Sequence, residues 1–119
     1  MSLQVEYEAD NLCVLRISGT LQQSEFAATQ KGLAQKIDLG SKPRVLAIVE
    51  NFDGWERGAD WNDLDFLVEH GGEIAKIAVV VDPKWETQAL AFAGAGVRRA
   101  PVKFFPSAEI DQARRWIAE

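Results

Sequence analysis

The chain has 119 residues and a net charge of −5; 47% of the residues are apolar and 26% charged. This length suits one domain over residues 1–119, able to bury a core without disulfides or metal, and excludes a second core. An acidic chain repels phosphate backbones, so nucleic acid is not an expected partner.

The opening MSLQVEYEAD lacks the basic start and apolar stretch of a signal peptide, and the longest apolar run, Ile77 to Val81, is far too short for a membrane span. The single cysteine, Cys13, has no internal disulfide partner and suits a reducing compartment. The expectation is a soluble cytoplasmic protein, with peripheral contact to a membrane left open.

Leu3, Val5 and Tyr7 alternate with polar residues, as in a half-buried strand. Asp10-Asn11 supplies a turn, residues 12–18 form the second arm of a hairpin, and Gly19 ends it. A helix over residues 22–39 follows, with Thr20 and Gln23 spaced as a capping box and Ser24 as an alternative cap. Phe26, Leu33 and Ile37 share one of its faces, and Gly40 and Pro43 stop it. Residues 44–49 read as a strand covered on both sides, because Val45 onward is continuously apolar.

Residues 50–59 read as a loop broken by Asn51, Asp53, Gly54 and Gly58. Asp60 then caps a helix to about His70, closed by Gly71-Gly72. Residues 76–81 form another buried strand. Asp82-Pro83 is a strong helix start, since Asp accepts a backbone N–H and Pro fits the first helical position. That helix places Trp85, Ala89, Phe92 and Ala93 on one side and ends near Gly94-Ala95-Gly96. Residues 102–105 make a last strand, and Ser107 caps a final helix ending at Trp116-Ile117.

The order is ββαβαβαβα: a five-stranded, mixed, mostly parallel sheet flanked by four helices, with right-handed crossovers. Trp61-Asn62-Asp63-Leu64, the run from Lys76 to Trp85 and the ending Val102-Lys103-Phe104-Phe105 give the chain its family likeness. With the element order, they make it similar to the SpoIIAA-like proteins, relatives of the STAS domains, over nearly its whole length. The resemblance implies that α/β fold and a bacterial, non-enzymatic role. It suggests two such roles: protein partnering, as in the anti-sigma antagonists, and binding of hydrophobic ligands or membranes. The antagonists switch through a phosphorylated serine after the third strand. Residues 50–65 here contain no Ser or Thr, so the switch does not carry over.

The leading candidate site is the aromatic set Phe52, Trp55, Trp61 and Phe66, with Trp85 lining or supporting it. It follows the end of a strand in a parallel sheet, where ligands tend to bind. In the helix over 60–70, Leu64, Leu67 and Val68 group with Trp61, whereas Phe66 projects to the other side and needs a cover. That cover is the Phe52–Trp55 loop itself, an apolar ligand, a partner or a bilayer. The expected function is therefore binding of a small hydrophobic or lipid-like molecule, or peripheral membrane association, through displacement of one helix. The alternative is a protein-partner module lacking the phosphorylatable serine.

Chemistry is less well supported. Glu50, Asp53, Glu56, Asp60, Asp63 and Asp65 lack the ordered spacing of a metal loop, and capping and helix-dipole placement account for Asp60 and Asp63. His70 has no nucleophile motif to serve, and Cys13 reads as a buried, inert thiol. The paired glycines follow helices, so they read as C-terminal caps rather than phosphate loops. No catalytic residue, metal or cofactor is expected. Arg98, Arg99 and Lys103 form a basic edge that could attract anionic lipid heads or an acidic partner, Arg114 and Arg115 suit the last helix's dipole, and Trp116 reads as core.

Overall fold

The computed structural model describes residues 2–8, 11–40, 42–58, 74–93 and 101–119. In chain order these form β1 (Leu3–Glu8), β2 (Leu12–Leu21), α1 (Gln23–Asp38), β3 (Arg44–Trp55), β4 (Lys76–Val81), α2 (Glu86–Ala93), β5 (Val102–Pro106) and α3 (Ile110–Ala118). Short 3-10 turns, Pro83–Trp85 and Ser107–Glu109, lead into α2 and α3. The expected mixed, mostly parallel sheet is present, with three helices among the described residues. The helix expected over 60–70 lies outside them.

The strands lie side by side in sequence order, β1-β2-β3-β4-β5. β1 runs antiparallel to β2 and the other neighbours pair in parallel. Both described crossovers, α1 and α2, advance in the same direction across the sheet, so right-handedness puts them on one face. Leu33 and Ile37 of α1 and Ala89 and Phe92 of α2 accordingly pack with Leu15, Ile17, Val45, Val79 and Val81. The opposite side chains, Val14, Leu46, Ile48, Ala78, Val80 and Phe105, meet Ala113 and Ile117 of α3. A strand covered on both sides has no polar face to show, which explains the unbroken apolar runs in β3 and β4.

Two strands are longer than their sequences suggest. β3 does not stop at Val49, and β2 does not stop at Gly19. The two continue in parallel, with Ser18 opposite Glu50, Gly19 opposite Phe52, Thr20 opposite Gly54 and Leu21 opposite Trp55. The breakers are absorbed as register shifts on either side of Gly19, which leave Asn51 and Asp53 without opposite numbers. Asn51 takes φ 49° and Gly54 takes φ 106°, values that Asn tolerates and Gly adopts freely. Phe52 and Trp55 therefore stand on a strand extension, not on a loop.

Helix starts are only partly legible in the sequence. Asp82 caps its turn as expected, its Oδ1 accepting from the Lys84 amide at 2.9 Å with Pro83 at the first position. At α1, however, Thr20 belongs to β2, Ser24 lies inside the helix, and the cap residue Gln22 makes no side-chain cap bond. The first amides are satisfied from afar: Gln22 donates to Ser2 Oγ at 3.1 Å and Gln23 to Glu56 Oε1 at 3.0 Å. Ser107 likewise makes no cap bond, because Pro106 stands at that position and a 3-10 turn intervenes.

Candidate apolar binding site

The extension of β3 carries Phe52 and Trp55 past the paired core of the sheet, toward the start of the α2 segment. Gly54 between them is required by its φ of 106° rather than by space, since a Cβ there would make ordinary contact with Trp85 Cη2 at 3.6 Å. The rings form a connected set. Phe52 meets Trp55 edge-on at a centroid distance of 5.0 Å and meets Trp85 at 5.0 Å, and Trp55 lies 5.9 Å from Trp85. Trp55 continues to Phe92 of α2 at 5.4 Å, and Phe92 to Phe26 of α1 at 4.9 Å. Tilted and edge-on pairs at these distances are the favoured aromatic geometries.

All of these rings but Trp85 border a cavity of about 110 Å³ between the sheet and the two helices. Its wall includes Phe26, Phe52, Trp55 and Phe92 together with Leu33 of α1 and Val79 of β4. Thr29 and Gln30 of α1 are the polar members, and no charged side chain lines it among the described residues. The Thr29 hydroxyl donates to the Glu25 carbonyl at 3.1 Å. Trp55 Nε1 is buried and has no hydrogen-bond partner among the described residues.

The structure thus brings together three of the five residues singled out from sequence. Phe52 and Trp55 line the cavity, while Trp85 stands one ring behind, against both of them. Trp61 and Phe66 lie outside the described residues, as do His70, Asp60, Asp63, Asp65, Arg98 and Arg99. Phe26 and Phe92 read from sequence as helix-face core residues, not as part of a site. Their signal is topological, because two right-handed crossovers in one direction must face each other over the same side of the sheet.

Other candidates resolve into local roles. Glu56 accepts from the α1 amide of Gln23. Glu50, Asp53, Asp82 and Lys84 border an open groove at the carboxyl ends of β3 and β4. No group of three or more His, Cys, Asp or Glu close enough to hold a metal occurs among the described residues. Cys13 is 1% exposed, and burial pushes its thiol up to about 11, with Lys36 pulling weakly the other way. Burial also raises the Tyr7 hydroxyl, over whose ring Lys36 sits at 4.3 Å.

Two of the basic residues near the C-terminus, Lys103 and Arg114, are engaged as well. Lys103 lies over the Phe105 ring at 5.2 Å, and Arg114 reaches Glu8 of β1 at 3.4 Å. Trp116 packs at the margin of the second core cluster, under the Lys76 ammonium at 4.9 Å.

The SpoIIAA-like family model matches residues 12–118. The chain belongs to the SpoIIAA-like family. A solved structure with the same fold is that of an uncharacterized protein of the DUF3478 family from Shewanella loihica PV-4, itself described as having a SpoIIAA-like fold. It is similar at a TM-score of 0.69 and 20% identity, with 97% of this chain and 91% of that one covered. At that identity the likeness concerns the fold alone. No curated protein matches this SpoIIAA-like chain significantly. No helix among its described residues is long and apolar enough to cross a membrane.

Proposed function

We propose that the domain is a binding module for a small apolar molecule, held between the sheet and helices α1 and α2 without covalent chemistry. The observation that carries this reading is the 110 Å³ cavity walled by aliphatic and aromatic side chains. Protein interiors pack like organic crystals and leave few voids larger than a water molecule. An apolar ligand seated there would take its apolar lining out of water, at roughly 25 cal/mol per Å² buried.

The volume is of the same order as the engineered apolar cavity of about 150 Å³ that binds benzene. The resting cavity therefore suits one ring or a short alkyl segment, and a longer chain requires a helix to shift. Helix α2 is the better candidate to move. It has eight residues and none of them is fully buried, whereas α1 anchors Thr29, Leu33 and Ile37.

Native mass spectrometry of the protein purified from its own host tests the proposal. A retained small apolar molecule at one per chain is the expected result. A stoichiometric protein partner with no small molecule, or capture only by phospholipid vesicles, would replace it with the partner or membrane reading.

A further inference from the structure

β1 forms one edge of the sheet and β5 the other, and the two edges differ. β5 has five residues, bears Lys103 and ends on Pro106, features that discourage a further strand. β1 has six residues with no proline or lysine, and it pairs with β2 without a bulge. The Ser18 amide donates to the Ser2 carbonyl at 2.9 Å, which fixes the phase of that pairing. Gln4, Glu6 and Glu8 therefore bond to β2, while the N–H and C=O groups of Leu3, Val5 and Tyr7 point outward from the sheet. These outward groups have no hydrogen-bond partner among the described residues.

On the helix side, β1 and α1 border an open groove lined by Leu3, Val5, Tyr7, Ala28 and Thr29. α1 runs alongside β1 in the same direction. At one end the Ser2 amide donates to Glu25 Oε2 at 3.1 Å, and at the other Lys36 lies over the Tyr7 ring at 4.3 Å. The groove is thus acidic at its start and basic at its finish. Glu6 and Glu8 stay out of it, paired with Arg16 and Arg114.

We propose that the β1 edge docks a second copy of this chain, joined antiparallel about Val5 so that the two sheets become one. In that register Val5 faces its partner's Val5 and Leu3 faces its partner's Tyr7, and all three outward residues exchange both hydrogen bonds. The Tyr7 ring, 47% exposed in the single chain, then covers its partner's Leu3. A shift of two residues either opposes Glu6 to its partner's Glu6 or sets Tyr7 against Met1, beyond the strand. The two α1 helices lie antiparallel, which brings Lys36 of each copy to Glu25 of the other and matches charge at both ends of the groove. This pairing is independent of the cavity reading.

Analytical ultracentrifugation tests it on the wild-type chain. A monomer–dimer equilibrium is expected, and a chain still monomeric at about 1 mM overturns the proposal. Val5→Pro removes an outward N–H without breaking a bond to β2, a change that an edge strand tolerates. It is expected to weaken the dimer roughly tenfold or more, the scale of two lost hydrogen bonds. Leu3 and Tyr7 stand about 13 Å apart along one strand, so an NOE between the Leu3 methyls and the Tyr7 ring arises only between copies. That NOE is expected in a mixture of labelled and unlabelled wild-type chains, and it decides the matter even where Val5→Pro fails to fold. A dimer without the NOE, or one of unchanged affinity in Val5→Pro, places the contact elsewhere and overturns the β1 interface.

Discussion

The Phe26 ring of α1 and the Phe92 ring of α2 lie 4.9 Å apart with their planes tilted by 50°. Both border the apolar cavity, so the two helices that cover one face of the sheet touch at its wall. The contact joins residues far apart in the chain and ties α2 to α1 at the cavity.

Phe92→Ala removes the α2 side of that contact. The ring is only partly buried, so the cost falls below that of a fully buried phenylalanine, at about 1–3 kcal/mol in urea unfolding. Ethylbenzene affinity, read by calorimetry on the folded variant, is expected to drop roughly tenfold through lost apolar contact.

Ile117→Ala separates stability from binding. Ile117 is fully buried on the opposite face of the sheet, under α3. Its truncation is expected to cost about 2–5 kcal/mol, while ethylbenzene affinity at a temperature where the variant remains folded stays at the wild-type value. A binding defect of roughly tenfold in this variant would show that the two faces are coupled.

Glu56 caps α1 from the far end of β3, accepting from the Gln23 amide at 3.0 Å beside the positive end of the helix dipole. Glu56→Ala is expected to lower stability by about 1 kcal/mol, as for loss of an N-cap acceptor. Hydrogen exchange should quicken at the amide of Gln23 and remain unchanged in α3.

Burial raises the Cys13 thiol from 9.0 to about 11. Between those values the unfolded chain loses its thiol proton while the folded chain keeps it, so the unfolded state binds fewer protons and stability falls as pH rises. The contribution is fully present below pH 9 and lost progressively up to about pH 11, amounting to roughly 2–3 kcal/mol at 1.36 kcal/mol per pKa unit. Cys13→Ala is expected to flatten the urea-midpoint profile over that window. Part of the slope will survive above about pH 10, because the Tyr7 hydroxyl shifts in the same direction. At about pH 8 the native thiol should resist iodoacetamide and react on unfolding.

Much of the sheet is legible because its signals are local. Alternation in Leu3, Val5 and Tyr7, the apolar runs of β3 and β4, and the Asp82-Pro83 helix start each follow from a few neighbouring residues. The extension of β2 and β3 is not, since Gly19, Asn51 and Gly54 end strands unless a partner strand accommodates them as bulges. The α1 cap escapes for the same reason, its acceptors lying on Ser2 and Glu56 rather than in the adjoining residues. At the site, the aromatic residues Phe52, Trp55 and Trp85 stand out by type and position. That Trp55 meets Phe92, and that its Nε1–H is left without a partner among the described residues, depends on tertiary packing that no spacing rule encodes.

The most direct measurement of the central claim is a methyl-detected NMR titration of the protein with ethylbenzene. Saturable shifts at Leu33 and Val79, with Ala113 and Ile117 on the opposite face unmoved, are the predicted result. No saturable shift at the cavity residues, or shifts centred on Ala113 and Ile117, would contradict it.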